Sequence, residues 1–344
     1  MPSPLALHPP RRLVLGFAGL ILVIIATLLV GLIELPRHRS NCSIRADGVA
    51  ACGVWWGSAL AVNDTSLPTS VSTLEQSTKR RLDIVHTYHR WDDVFPTAAE
   101  QSLSVSGHEL LLNWEPIDRR GTMLSWAAIA AGQQDAVIDA AAHRLIGLPA
   151  VMVSFSHEPE QDFHAHGSAA DFAAAFRHVH DRMRADGATN VRWVWDLQGL
   201  SDPVWLARYK QMWPGNAYVD WVAWDPYNWG SCRNRAWTSF AQTVTPFYRW
   251  LEQNGFGDKP FMLAEYGSVE NPADPNAKAD WYAGIPAALS NLPNLRALVY
   301  FNLPAPPANC NWQITTSTAA QDAFGRLAAS SAFTKTADLA IVNP

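Results

Sequence analysis

Eight short, near-continuous apolar runs recur along the chain beyond residue 50: ACGVWW (51–56), LDIVHTY (82–88), ELLLNW (109–114), AVMVSFS (150–156), VRWVW (191–195), YVDWVAW (218–224), PFMLA (260–264) and ALVYF (297–301). None shows the strict in–out alternation of a half-exposed strand. They read as parallel strands buried on both faces. Between them, apolar positions recur at helical spacing. In 133–146 these are Val137, Ile138, Ala141 and Leu145, with Gly147 as a stop. In 168–186, Ser168 opens the segment with Asp171 three residues on; Ala174, Val179 and Met183 form its apolar side and Gly187 ends it. Further helices are predicted near 70–80, 203–212, 238–253, 278–290 and 318–331. Strand and helix alternating eight times predict an α/β (β/α)8 TIM barrel over residues 50–335. An open doubly wound sheet is the competing arrangement, but no glycine-rich phosphate loop follows the first run.

The first 49 residues follow another pattern. Arg11 and Arg12 precede residues 13–33, which carry no charge and approach the ~20 residues that span a bilayer. The apolar core of a secretory signal is usually shorter, roughly 7–15 residues, and Glu34, Leu35, Pro36 and Arg37 form no small-x-small cleavage site. The pattern predicts an uncleaved signal anchor with a cleaved signal as the alternative, although Arg37 and Arg39 blur the charge bias that would orient it. The expected organisation is a cytoplasmic basic flank (1–12), the anchor or signal (13–33), a linker (34–49), the barrel (50–335) and a tail (336–344). The bilayer is then a partner through residues 13–33. The expected location is the extracellular face of the membrane, or outside the cell as a secreted form.

Cysteine usage fits export. The chain has four cysteines, and an even number in an exported protein suggests two disulfides. Of three possible pairings, Cys42–Cys52 with Cys232–Cys310 staples the segment leading into the barrel and ties two late loops; free buried thiols are the alternative. A net charge of -5, with no Lys/Arg tract past the anchor, argues against nucleic acid. The 16 tryptophans, several near strand ends, suit a cleft that stacks sugar rings.

Candidate chemistry sits at the carboxyl ends of the strands, where barrels build active sites. Glu158 follows the fourth run, preceded by His157; Glu265 follows the seventh. Tyr227 lies just past the sixth, in WDPYNW, and Trp195, Trp224 and Trp229 stand near the same rim. A zinc-protease helix needs a second histidine four residues after the first, and position 161 is Gln161. His164 and His166 read as surface or cleft histidines, so no metal and no cofactor are expected. Two carboxylates on one rim match glycosidic cleavage: one protonated to donate, one ionised to attack. A separation of ~5–5.5 Å leads to retention and ~6.5–9.5 Å to inversion.

Several segments, in order, resemble glycoside hydrolase family 26, best known for endo-β-1,4-mannanases: IAAGQQDAVIDAAAHRL, SFSHEPE, AAAFRHVHDRMRADGATNVRWVWD, WPGNAYVDWVAWDPYNW, KPFMLAEYGS and VYFNLPAPPANCNW. The resemblance covers about residues 50–330. It implies a retaining double displacement, with Glu158 as general acid/base, His157 beside it, Glu265 as nucleophile, and Tyr227 holding Glu265 in place and anionic. His89, Trp114 and Trp312 become candidate subsite walls. One segment departs. Where mannanases of the family commonly carry an asparagine-glycine-tryptophan segment after the HE pair, this chain reads PEQDFHAHG.

The expected function is therefore a retaining endo-β-glycosidase: β-1,4-mannan is the first substrate, with mixed-linkage β-glucan and β-1,3-xylan as alternatives. A non-catalytic carbohydrate-binding barrel and an anchored structural domain are readings from other classes. A monomer is expected.

Overall fold

The computed structural model describes residues 48–50, 52–60, 66–305 and 310–333. Eight strands form the barrel: β1 (Trp55–Ala59), β2 (Ile84–Arg90), β3 (Glu109–Glu115), β4 (Val151–Phe155), β5 (Val191–Leu197), β6 (Trp221–Trp224), β7 (Phe261–Ser268) and β8 (Leu295–Phe301). Each pairs in parallel with the next, and β8 pairs with β1 from Trp55↔Ala297 to Ala59↔Phe301, which closes the barrel. The outer layer comprises α1 (Leu67–Thr78), α2 (Ala98–Val105), α3 (Asp135–Leu145), α4 (Ala169–Ala185), α5 (Pro203–Met212), α6 (Phe240–Gln253), α7 (Ala277–Ala283) and α8 (Thr318–Ala328), with short helical turns in the loops.

Local sequence explains most boundaries. Ser168 caps α4 through a reciprocal box with Asp171, worth about 1 kcal/mol. Gly187 follows α4 at φ +100°, a left-handed conformation that suits glycine at a helix end. Phe172, Phe176 and Val179 of α4 are fully buried, each worth roughly 1.5–3 kcal/mol. The helix expected over 278–290 is two pieces, α7 and Ile285–Leu289. Pro286 has no N–H to donate and its ring obstructs a continuous helix. The first strand lies later than the apolar run 51–56 suggests. It continues through Gly57, where a Cβ would sit 2.8 Å from Ile84 Cβ and 3.1 Å from Val299 Cγ2. Close flanking by β2 and β8 thus requires small residues that a hydrophobicity pattern overlooks.

The core has two principal shells. Ile84, Leu111, Met152, Val194, Trp221, Met262, Ala264 and Val299 belong to the cluster inside the barrel, while a larger cluster joins strands to helices. Val49 and Ala50 pack onto the inner cluster. Trp55 Nε1 donates to the Gly48 carbonyl at 3.0 Å, and Arg296 Nη2 donates to the Ala50 carbonyl at 2.6 Å. Toward the carboxyl ends of the strands the interior turns polar, with buried His86, Asn113, Ser154, Asp196 and Asp225.

The membrane expectation is corrected. Among the described residues no helix is long and apolar enough to cross a membrane, and residues 13–33 lie outside them. The anchor or signal segment, the bilayer as partner and the membrane-face location are therefore not carried forward. The pairing expected for Cys42 with Cys52 also reaches outside the described residues. Cys232 and Cys310 form a disulfide.

Candidate active site

Glu265 owes its direction to an irregularity in β7. Leu263 pairs with Leu298, but the next partners are Tyr266 and Tyr300. Three steps along β7 therefore match two along β8. The surplus residue is a β-bulge, a device that re-aims a side chain. Ala264 packs in the inner cluster and Tyr266 in the outer one, and Glu265 between them faces the cleft. Tyr88 Oη donates to Glu265 Oε1 at 2.6 Å, and Tyr227 Oη donates to Oε2. The Glu265 N–H donates to Asp225 Oδ1 at 2.7 Å.

Glu158 stands in the loop after β4 at φ +43°, two residues past Ser156 at φ +53°. Left-handed backbone at non-glycine residues costs of order 1 kcal/mol or more each and concentrates at functional sites. The Glu158 N–H donates to the Asp196 carbonyl at 3.2 Å. Gln198 Nε2 donates to Glu158 Oε2 at 3.4 Å, and Gln161 donates to the same oxygen. Glu158 and Glu265 line one cleft of about 670 Å³.

Electrostatics separate the groups. Burial, then the charge of Glu265, holds the Glu158 carboxyl well above its usual range, with His157 opposing. Burial disfavours the His157 cation, but Glu115, then Glu265 and Glu158, outweigh it and push the imidazole up to about 10; His157 Nδ1 pairs with Glu115 Oε1. Burial and Glu265 likewise raise the phenols of Tyr88 and Tyr227, which stay protonated donors. Beneath them, burial raises the carboxyls of Asp196 and Asp225 and pushes His86 down to about 3.

The predicted site residues divide. His157, Glu158, Tyr227, Trp229, Glu265 and Trp312 meet at the cleft. Tyr227 packs against Trp229 and Trp312 with centroids 5.3 and 4.5 Å away. Cys232 and Cys310 join the loops that carry these tryptophans. His89, Trp114, Trp195 and Trp224 do not line this cleft. His89 Nε2 lies 2.9 Å from Glu100 Oε1, and its ring stacks on Phe95. Trp114 is stacked on Trp91 at 4.1 Å, Trp195 packs on Trp213 and Phe256, and Trp224 on Phe247 and Phe261. Strand parity explains this: each sits on the side of its strand that faces the helices. His166 is also buried, against Trp126. No His/Cys/Asp/Glu group suited to a metal ion occurs among the described residues.

Sequence reasoning missed Tyr88, Glu115, Gln161, Gln198 and Arg233. Tyr88 had a usable signal, the carboxyl end of the second apolar run; the other four belong to the rim and loops, where spacing carries no direction.

Comparison with solved structures identifies the fold as that of family 26 β-mannanases. The β-mannanase from Bacteroides ovatus superposes with a TM-score of 0.61 at 16% identity, over 83% of this chain and 91% of that one. The catalytic domain of the endo-β-1,4-mannanase from Bacillus sp. JAMB-750 gives 0.59 at 15%, over 82% and 87%. A Cellulomonas fimi endo-β-1,4-mannanase double mutant gives 0.56 at 15%, over 85% and 76%. In sequence, endoglucanase H of Acetivibrio thermocellus is 27% identical over 277 residues, 76% of this chain and 27% of the relative. The chain thus spans about a quarter of the length of the curated relative it matches. No family model matches the chain.

Proposed function

We propose that this cleft hydrolyses internal β-glycosidic bonds of a polysaccharide with retention of configuration. One observation carries the reading: Glu158 and Glu265 line the same cleft in opposed surroundings. Glu158 is held toward its protonated form, and both oxygens of Glu265 are oriented by phenol donors.

In the first displacement Glu265 attacks the anomeric carbon while Glu158 gives its proton to the departing glycosidic oxygen. The Glu265 charge is consumed in the glycosyl ester, and its upward push on Glu158 disappears. Glu158, now ionised, takes a proton from water. The resulting attack on the anomeric carbon releases the sugar and restores Glu265. Tyr88 and Tyr227 position the nucleophile, and Trp229 and Trp312 offer apolar faces to sugar rings.

β-1,4-Mannan is the first substrate, supported by likeness to the mannanase fold. A β-glucan is the second reading, favoured by the endoglucanase relative and by PEQDFHAHG in place of the family's tryptophan-bearing segment. The test is a panel of β-1,4-mannan, mixed-linkage β-glucan and β-1,3-xylan with reducing-end product analysis, run beside Glu158→Gln and Glu265→Gln. Turnover that neither substitution reduces overturns the mechanism. Binding without turnover replaces it with a carbohydrate-binding barrel.

A further inference from the structure

We infer that the cleft is built for an acidic glycan, with Arg233 receiving a carboxylate carried by the polysaccharide. This rests on the hydrolytic reading for the class of ligand and adds the charge of the sugar.

Arg233 lies on the wall of the cleft that holds both glutamates. Its guanidinium carbon sits 4.0 Å from the centroid of the Trp229 ring. Three other arginines are engaged by acids, Arg119 with Asp93, Arg182 with Asp139 and Arg192 with Glu109. No acidic partner of Arg233 occurs among the described residues. Nor is it spent on Glu265, whose oxygens are taken by Tyr88 and Tyr227. Stacking uses the face of the guanidinium and leaves its edge N–H donors for a planar acceptor. That fork matches a carboxylate in two-point geometry.

The cation is also held in place. It ends a 3-10 turn, Gly230–Arg233, closed by Asn234 at φ +50°. The neighbouring Cys232 is bonded to Cys310, and Trp229 meets Trp312 edge-on with centroids 5.0 Å apart. A freely moving surface arginine loses rotamer entropy when it pairs, and exposed pairs contribute little for that reason. This one is already ordered against an indole face, so less is lost on binding. Neutral mannan or glucan offers the fork nothing that a hydroxyl contact to any polar residue would not supply. A uronic acid or a carboxyl-bearing substituent beside the cleaved bond completes it.

The test measures binding by the Glu265→Gln variant, using β-1,4-mannan against its C6-oxidised uronate form and hydroxyethyl-cellulose against carboxymethyl-cellulose. The acidic member of at least one pair is expected to bind about tenfold more tightly at low salt, the scale of one charge-assisted contact, with the ratio shrinking at high salt. Adding Arg233→Gln should bring that ratio near one, and Arg233→Lys, which keeps the charge without the planar fork, should restore only part. Equal binding of acidic and neutral forms, or a ratio that Arg233→Gln leaves unchanged, overturns the inference. Wild-type turnover is read separately. Turnover without an acidic preference removes this inference alone, whereas an acidic preference without turnover keeps it and removes hydrolysis.

Discussion

Tyr88 at the end of β2 donates its phenol proton to Glu265 Oε1 at 2.6 Å, across the mouth of the barrel from Tyr227, which holds the other oxygen. A hydrogen bond to a charged group is worth about 1.5–3 kcal/mol. In the double displacement, Tyr88→Phe should therefore lower kcat/KM about 10- to 100-fold. Steady-state kinetics beside Tyr227→Phe check this. An unaltered rate would show that the second phenol has no part in orienting the nucleophile.

The two glutamates should fail differently. If Glu265 is the nucleophile as proposed, Glu265→Gln removes the covalent step and should be inactive on every substrate. Glu158→Gln removes only proton transfer, a contribution of about 10²- to 10⁴-fold. An aryl glycoside with a good leaving group needs little protonation, so this variant should still form the glycosyl ester and release a burst of phenol. Pre-steady-state absorbance reads the burst. Equal loss in both variants on such a substrate would contradict the assigned roles.

The proton donor should also show itself in the pH profile. The proposed mechanism needs protonated Glu158, whose pKa is raised first by burial and then by Glu265. The alkaline limb of kcat/KM is thus expected above the ordinary carboxylate range. His157 lowers the pKa of Glu158, so His157→Asn should move that limb to higher pH. A shift to lower pH would contradict the electrostatic account.

His157 carries a stability signature as well. Burial works against its cation, but Glu115 and the nearby glutamates outweigh that and raise its folded pKa from the ordinary 6.5 to about 10. Between these values the folded chain keeps a proton that the unfolded chain releases. The stabilisation is complete below the lower value and is lost as pH rises through the upper one. Tm of the wild type should fall between pH 7 and 10 more steeply than Tm of His157→Asn, as calorimetry would record.

Removing the Cys232–Cys310 disulfide opens a link between residues 78 apart in sequence. Loop-closure entropy sets its contribution at up to about 4 kcal/mol. The same bond ties the loops bearing Trp229 and Trp312. Cys232→Ser with Cys310→Ser should lower Tm and raise KM more than it lowers kcat. A lower Tm with unchanged KM would limit the bond to a structural role.

Much of the scaffold was legible because parallel strands buried on both faces leave dense apolar runs, and because Ser168, Asp171 and Gly187 mark the ends of α4 chemically. The same double burial concealed side-chain direction. With apolar residues on both faces, nothing in VRWVW or ELLLNW distinguishes inside from outside, so Trp114 and Trp195 were expected at the rim and are packed under helices. His89 was chosen over its neighbour Tyr88 for the same reason. Glu265 was found by its place at a strand end, although its parity along β7 is broken by the bulge.

Because of that surplus residue, two successive positions of the strand, Ala264 and Glu265, look into the barrel, one packed in its apolar floor and one open to the cleft. A strictly alternating strand would send the residue after Ala264 outward. Deleting Ala264 would leave Tyr266 under the helices but draw the acid one step down, into the place of a buried methyl and away from both phenols. A variant made that way should fail through the depth of one carboxylate, its composition nearly intact.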